Sequence, residues 1–232
     1  MKVEYAISTW DVPSLPIVGT NARFPVRRIF CVGRNYVEHQ KEMGSDGREQ
    51  PFFFLKSAHA LVPGGGDVHY PPKSENYHWE TEMVAVIGQG GRRIPADRAN
   101  DHIWGYGVGL DMTRRDLQQE GKDLRRPWDF GKDFDEAGPV GPLTPAANIG
   151  HPGKGRIQLR VNGEVRQNAD IAEMIWSVPE QVAFLSQYYA LEPGDIIMTG
   201  TPAGVGKAKM GDELVATVDG LAELRVKIVA PR

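Results

Sequence analysis

Cysteine is almost absent from this sequence: Cys31 is the only one in 232 residues, so no internal disulfide is available. It sits in the apolar run Arg28-Ile29-Phe30-Cys31-Val32, the setting of a buried, inert thiol rather than a nucleophile. Excess charge of one sign is also missing. Twenty-seven Lys and Arg face 30 Asp and Glu for a net charge of −3, which offers no global attraction to nucleic acid or anionic lipid. No stretch approaches the ~18 apolar residues of a membrane-spanning helix, and Met1-Lys2-Val3-Glu4-Tyr5 lacks the apolar run of a secretory signal. These absences predict a cytoplasmic protein that works on small molecules, with neither a nucleic acid nor a membrane as partner.

Glycine and proline are plentiful instead, 27 and 17 residues, against a joint average usage of roughly 12%. That excess disfavours a helical bundle and is too aperiodic for collagen, while 41% hydrophobic residues exclude a disordered chain. A chain of this length can bury roughly 70% of its unfolded surface without staples. Residues 1–26 carry a weak strand at Val3–Ser8 and then Pro13, Pro16, Gly19 and Pro25, the pattern of an N-terminal arm laid over a surface. Residues 27–232 are expected to form a single domain.

Buried strands are predicted at Arg28–Val32, Pro51–Lys56 and Met83–Ile87, and a short helix at Asn35–Met43 with Asn35 as cap and Gly44 as stop. Trp104–Leu110 alternates Gly with larger residues, as strands do where another backbone or a ligand approaches closely. Arg125–Pro142 is a Pro/Gly-rich loop too long for an ordinary connection. Asn162-Gly163 marks a hairpin, and Ser177-Val178-Pro179-Glu180 opens a helix through about Tyr189. The expected architecture is mainly β with a few short helices.

Chemistry concentrates in a few places. In His78-Trp79-Glu80-Thr81-Glu82-Met83, strand alternation places Glu80 and Glu82 on one face. Two ionised carboxylates roughly 6–7 Å apart repel by about 2–3 kcal/mol at an effective dielectric near 20, which water offsets on an exposed face and a hard divalent cation offsets in a core. Asp111, ending the Gly-rich strand, supplies a third oxygen donor suited to Mg²⁺ or Mn²⁺. His39 and Glu42 are three apart, so on a helix they are either an exposed pair or an imidazole oriented by a carboxylate. Lys132 in the long loop is either solvated or placed to stabilise an enolate. Thr199-Gly200-Thr201-Pro202-Ala203-Gly204-Val205-Gly206 lacks the ending of a P-loop and fits better as a turn presenting N–H groups and a hydroxyl to a carboxylate. Of the doublets Arg114-Arg115 and Arg125-Arg126, one or two guanidinium groups suit an acidic substrate's far carboxylate. No serine lies in a nucleophile elbow.

These segments, with Cys31-Val32-Gly33-Arg34-Asn35-Tyr36-Val37-Glu38-His39, Phe53-Phe54-Leu55-Lys56, Leu110-Asp111-Met112-Thr113-Arg114-Arg115-Asp116-Leu117-Gln118, Lys132-Asp133-Phe134 and Gly138-Pro139-Val140-Gly141-Pro142, resemble in order the signatures of the fumarylacetoacetate hydrolase family. The resemblance runs from about Arg27 to Ile228 and implies a mixed β-roll, usually a homodimer. It also implies a divalent cation, Mg or Mn with Ca as a further option, held at Glu80, Glu82 and Asp111. His39 and Glu42 match the catalytic dyad, Lys132 the enolate-stabilising lysine, and Gln118, Thr201, Arg34 and Lys56 positions around the bound oxo acid. Ser57 departs from the proline that many relatives carry there. The short N-terminal segment is most like the compact acylpyruvate-hydrolase branch, including bacterial fumarylpyruvate hydrolases of gentisate breakdown. The implied reaction is hydrolytic C–C cleavage of a 2,4-dioxo acid, such as fumarylpyruvate to fumarate and pyruvate. Oxaloacetate decarboxylation or keto-enol tautomerisation at the same site is the alternative, and a non-catalytic carboxylate-binding module is the alternative from another class.

Overall fold

A computed structural model describes residues 4–38 and 48–232. The apolar runs pair into an eight-stranded mixed sheet in the order Phe52–Lys56, Arg28–Gly33, Asp195–Met198, Thr81–Ile87, Ile103–Leu110, Gly138–Val140, Leu61–Pro63, with Thr144–Pro145 also on the Ile103–Leu110 strand. Two neighbour pairs are parallel, Asp195–Met198 with Arg28–Gly33 and Gly138–Val140 with Leu61–Pro63. Every residue of Thr81–Ile87 is buried. Its run is continuously apolar because both faces are covered: Met83, Ala85 and Ile87 enter one core cluster, Val84 and Val86 the other.

A second sheet of five strands runs Glu164–Asp170, Arg156–Val161, Glu213–Val218, Leu224–Val229, Gly66–His69. Here Glu213–Val218 and Leu224–Val229 alternate buried with exposed residues, so one face closes the larger cluster and the other meets water. The Asn162-Gly163 turn has both φ angles positive, 52° and 84°, as a type I′ hairpin requires. Helix Val178–Tyr188 starts where Glu180 reaches back to the Ser177 N–H at 2.9 Å. No helix among the described residues is long and apolar enough to cross a membrane. The mainly β, few-helix architecture expected from the sequence is the one observed.

Four local expectations are corrected. Glu4–Ser8 forms no strand and is exposed; pairing occurs later, between Ser14–Pro16 and Arg23–Pro25. Leu15 and Phe24 of that hairpin are buried in the second cluster beside Leu143. Arg125–Pro142 is not one loop, since it holds a helix at Asp129–Lys132 and a strand at Gly138–Val140. Asn35 does not use its side chain as a cap: Nδ2 donates to Trp176 O at 2.9 Å and Thr199 O at 2.8 Å, and Oδ1 accepts from Trp176 N at 2.8 Å. Most of the helix expected to follow, including His39 and Glu42, lies outside the described residues. Finally, Glu80 interrupts its strand, because Tyr77–Trp79 belongs to a separate three-stranded sheet.

Candidate active site

The break at Glu80 sets one corner of the site. Thr81–Ile87 pairs antiparallel with Ile103–Leu110, so the residue entering one strand, Glu80, lies beside the residue leaving the other, Asp111, whose N–H donates to Glu80 O at 2.8 Å. Glu82 follows two positions into the strand. All three carboxylates are buried, and one oxygen from each lies within 4.8 Å of the others. Gln167, wholly buried on the hairpin, ties the break together: Oε1 accepts from Thr81 N at 3.0 Å, and Nε2 donates to Thr201 Oγ1 and Pro202 O, both at 2.8 Å.

Three cations surround the triad. Lys132 Nζ donates to Glu80 Oε2 at 2.6 Å, Asp111 Oδ2 at 2.8 Å and Thr113 Oγ1 at 2.7 Å. Burial works against its charge, but Asp111 and Glu80 outweigh that cost and raise its pKa above the ordinary lysine value. Lys56 Nζ, fully enclosed, lies 2.8 Å from Asp111 Oδ1. It aims its protons at Met112 O, 3.1 Å away, and at Lys132 O, so Asp111 Oδ1 has a nearby charge without an aligned hydrogen bond. Arg115 donates to Glu80 Oε1 and, at 2.7 Å, to Gln118 Oε1. His78, whose pKa is pushed down to about 4 by burial and then by Arg115, accepts from Arg115 Nε at 3.4 Å on Nδ1.

Glu82 is different. No cation lies within ion-pair distance of it among the described residues; Oε2 accepts from the Gly200 N–H at 2.8 Å. Burial, then Asp111 and Glu80, drive its pKa well above the carboxylate range. A buried acid with no cation within ion-pair distance among the described residues, set beside two more buried carboxylates, together with an Asp111 oxygen lacking an aligned donor, is the environment a hard divalent cation relieves. The donor set is oxygen only, which suits Mg²⁺ or Mn²⁺. The residues fit such an ion.

The triad lines a pocket that opens to solvent. Arg34, Gln118, Thr201 and Lys132 line it with the three acids, so these sequence-predicted positions converge. Lys56 is not on the lining; it stands behind Asp111 and Lys132. Phe52, Phe54 and Trp128 complete the lining, with Phe52 edge-on to Trp128 at 5.5 Å and Lys132 Nζ 5.0 Å from the centre of the Phe54 ring. Arg115 was visible in the sequence only as half of a basic doublet, and Lys122 and Trp128 not at all. The signal for the first two is their spacing with Gln118 on helix Arg115–Asp123, whose positions 115, 118 and 122 share a face. Gln167 carried no local signal, since each of its partners is more than 30 residues away.

The turn after Met198 presents its N–H to the protein's own Glu82. Gly200 has φ 100°, and a Cβ there would stand 2.5 Å from Asn35 Cβ. Gly200→Ala is therefore expected to cost about 2–4 kcal/mol of stability, from strained backbone and overpacking together. Urea denaturation measures it, and a loss below about 1 kcal/mol would show that the turn relaxes freely.

A mixed β-roll with a buried acidic triad lining a pocket edged by cations defines a class of metal-assisted enzymes. The family model described as fumarylacetoacetate (FAA) hydrolase C-terminal matches residues 28–229, and the chain belongs to that family. It is 46% identical to a fumarylpyruvate hydrolase of Ralstonia over 78% of this chain and 93% of that protein. It superposes on the crystal structure of fumarylpyruvate hydrolase from Pseudomonas aeruginosa in complex with Mn²⁺ and pyruvate with TM-score 0.96 and 49% identity, covering 98% of this chain and 100% of the other. The human mitochondrial oxaloacetate tautomerase is 40% identical over 88% of this chain and 93% of that protein.

Proposed function

We propose that the protein is a divalent-metal-dependent hydrolase of 2,4-dioxo acids that converts fumarylpyruvate and water to fumarate and pyruvate. The observation that carries this reading is the buried Glu80, Glu82 and Asp111 triad at the floor of a cavity walled by cations and aromatic rings. Likeness to fumarylpyruvate hydrolases in sequence and structure supports the choice of substrate.

Glu80, Glu82 and Asp111 would hold the ion. When bound, a divalent cation supplies Lewis acidity at the 2-oxo acid end, lowering the cost of negative charge on the departing pyruvate. His39, oriented by Glu42, takes a proton from water as its oxygen bonds to C4. The C3–C4 bond breaks, its electron pair passes to the pyruvate enolate, and the imidazolium returns the proton to C3, so atoms and charge balance. Lys132, held at the triad by Glu80 and Asp111, offsets the enolate charge, and Lys56 fixes Asp111 and the Lys132 backbone from behind. Gln118 and Thr201 hold the oxo acid from the lining. Arg34 lines the same space, following a strand that runs parallel to the one leading into Thr201. A cytoplasmic location, a homodimer and a place in gentisate breakdown belong to the same reading, supported by the family resemblance and an unpaired, buried Cys31.

Purified protein with Mn²⁺ should consume fumarylpyruvate, followed by loss of its enol absorbance, and release one pyruvate per turnover. Removing the metal with a chelator should lower the rate at least 100-fold, and added Mn²⁺ should restore it. Turnover indifferent to chelation would sink the reading. The second reading, oxaloacetate tautomerisation or decarboxylation, is favoured by likeness to the mitochondrial tautomerase. It predicts faster turnover of oxaloacetate than of fumarylpyruvate in the same cuvette.

A further inference from the structure

Helix Arg115–Asp123 lays a polar row along the cavity. Arg115, Gln118 and Lys122 share one face and all line the same space. Arg115 is anchored on Glu80, so the row starts at the acidic triad. Seven residues at a rise of 1.5 Å carry it roughly 10 Å further, to Lys122.

Lys122 has no ion-pair partner there. Its ammonium lies 5.2 Å from the centre of the Trp128 ring, and no carboxylate stands within ion-pair distance among the described residues. Arg34, on the same lining in left-handed backbone at φ 56°, likewise has no carboxylate within ion-pair distance among the described residues; its guanidinium lies 6.0 Å from the Phe52 ring. Half-burial, then Arg115 and Arg34, hold the Lys122 pKa below the ordinary lysine value. Two cations on one cavity lining, neither in an ion pair among the described residues, are a site for an anion.

The span selects which anion. An extended carbon chain gains about 1.3 Å per bond. A seven-carbon dioxo diacid therefore separates its terminal carbons by roughly 7.5 Å, whereas a four-carbon diacid separates them by about 4 Å. The longer one extends further from the triad along the Arg115, Gln118 and Lys122 row.

We propose that Lys122, on the same cavity lining as Arg34, binds the distal carboxylate of the substrate and selects long dioxo diacids over short or singly charged oxo acids. The inference rests on the hydrolase reading above and names its specificity determinant.

The test compares kcat/KM for fumarylpyruvate and acetylpyruvate, which share the dioxo acid head and differ at the far end. The Mn²⁺-loaded wild type should prefer fumarylpyruvate. Lys122→Gln should lower that preference at least fivefold, chiefly through KM for the diacid, and Lys122→Arg should restore most of it. A preference that falls less than fivefold in Lys122→Gln, or a wild type that prefers acetylpyruvate, overturns the inference while leaving the hydrolase reading in place. A wild type that cleaves neither compound overturns both.

Discussion

Glu82→Gln is expected to lower kcat/KM toward fumarylpyruvate by about 10³-fold or more, because the lost transition-state stabilisation is of order 4 kcal/mol for a metal site deprived of one anionic ligand. The same substitution is expected to raise the stability of the metal-free protein at neutral pH. Glu82 is buried next to Asp111 and Glu80, so its folded pKa lies well above the unfolded one. The folded state then binds more protons than the unfolded state between those two values, and stability falls as pH rises through that window. Glutamine has no such titration and keeps an oxygen for the Gly200 N–H. The gain should shrink as pH falls below the ordinary carboxylate range, where wild-type Glu82 is protonated in both states. Steady-state kinetics with Mn²⁺, Mn²⁺ binding by calorimetry, and urea denaturation after chelation measure the three effects. A variant that binds Mn²⁺ and turns over within threefold of wild type removes Glu82 from the ligand set.

The opposite signs of those two effects separate what is legible in the sequence from what is not. A period of two is enough to place Glu80 and Glu82 together, and a Gly-rich strand ending in Asp111 is enough to suggest a third donor. The continuous apolar run Met83–Ile87 announces a strand covered on both faces, as it is. What escapes is long-range. Asn35 carries a capping residue's composition, but its amide is taken by Trp176 and Thr199, more than 140 residues away. The Asp129–Lys132 helix is a single turn, too short to leave a periodic pattern among Pro and Gly, so Lys132 passes for a loop residue. Val3–Ser8 has a strand's side chains, but Glu4–Ser8 meets no sheet edge. On helix Arg115–Asp123 the cavity-facing positions are polar because they face a ligand site rather than a core, so no apolar stripe marks the inward side.

Lys132→Met is expected to do the reverse of Glu82→Gln in the metal-free protein. The ammonium meets Glu80, Asp111 and Thr113 at once, and its side chain is almost wholly enclosed. Methionine fills similar volume but leaves two buried carboxylates without their shared cation, a loss of about 3–5 kcal/mol in urea denaturation. Activity should fall by about 10³-fold with Mn²⁺ present, since a preorganised charge at the developing enolate is removed. The two variants together decide whether the cluster behaves as one electrostatic unit. Lys56, Lys132 and Arg115 pair with Asp111 and Glu80 and none with Glu82, so Lys132→Met removes the cation those two carboxylates share, and Glu82→Gln removes the neighbouring acid that can add negative charge beside them. The double variant should be more stable than the sum of the separate effects predicts, by about 1 kcal/mol or more, because the like-charge repulsion that Lys132→Met exposes is weaker once Glu82 is neutral. Strict additivity would mean that Glu82 is already protonated in the folded metal-free protein, and stability would then keep falling as pH rises above the ordinary carboxylate range, because only the unfolded state releases that proton.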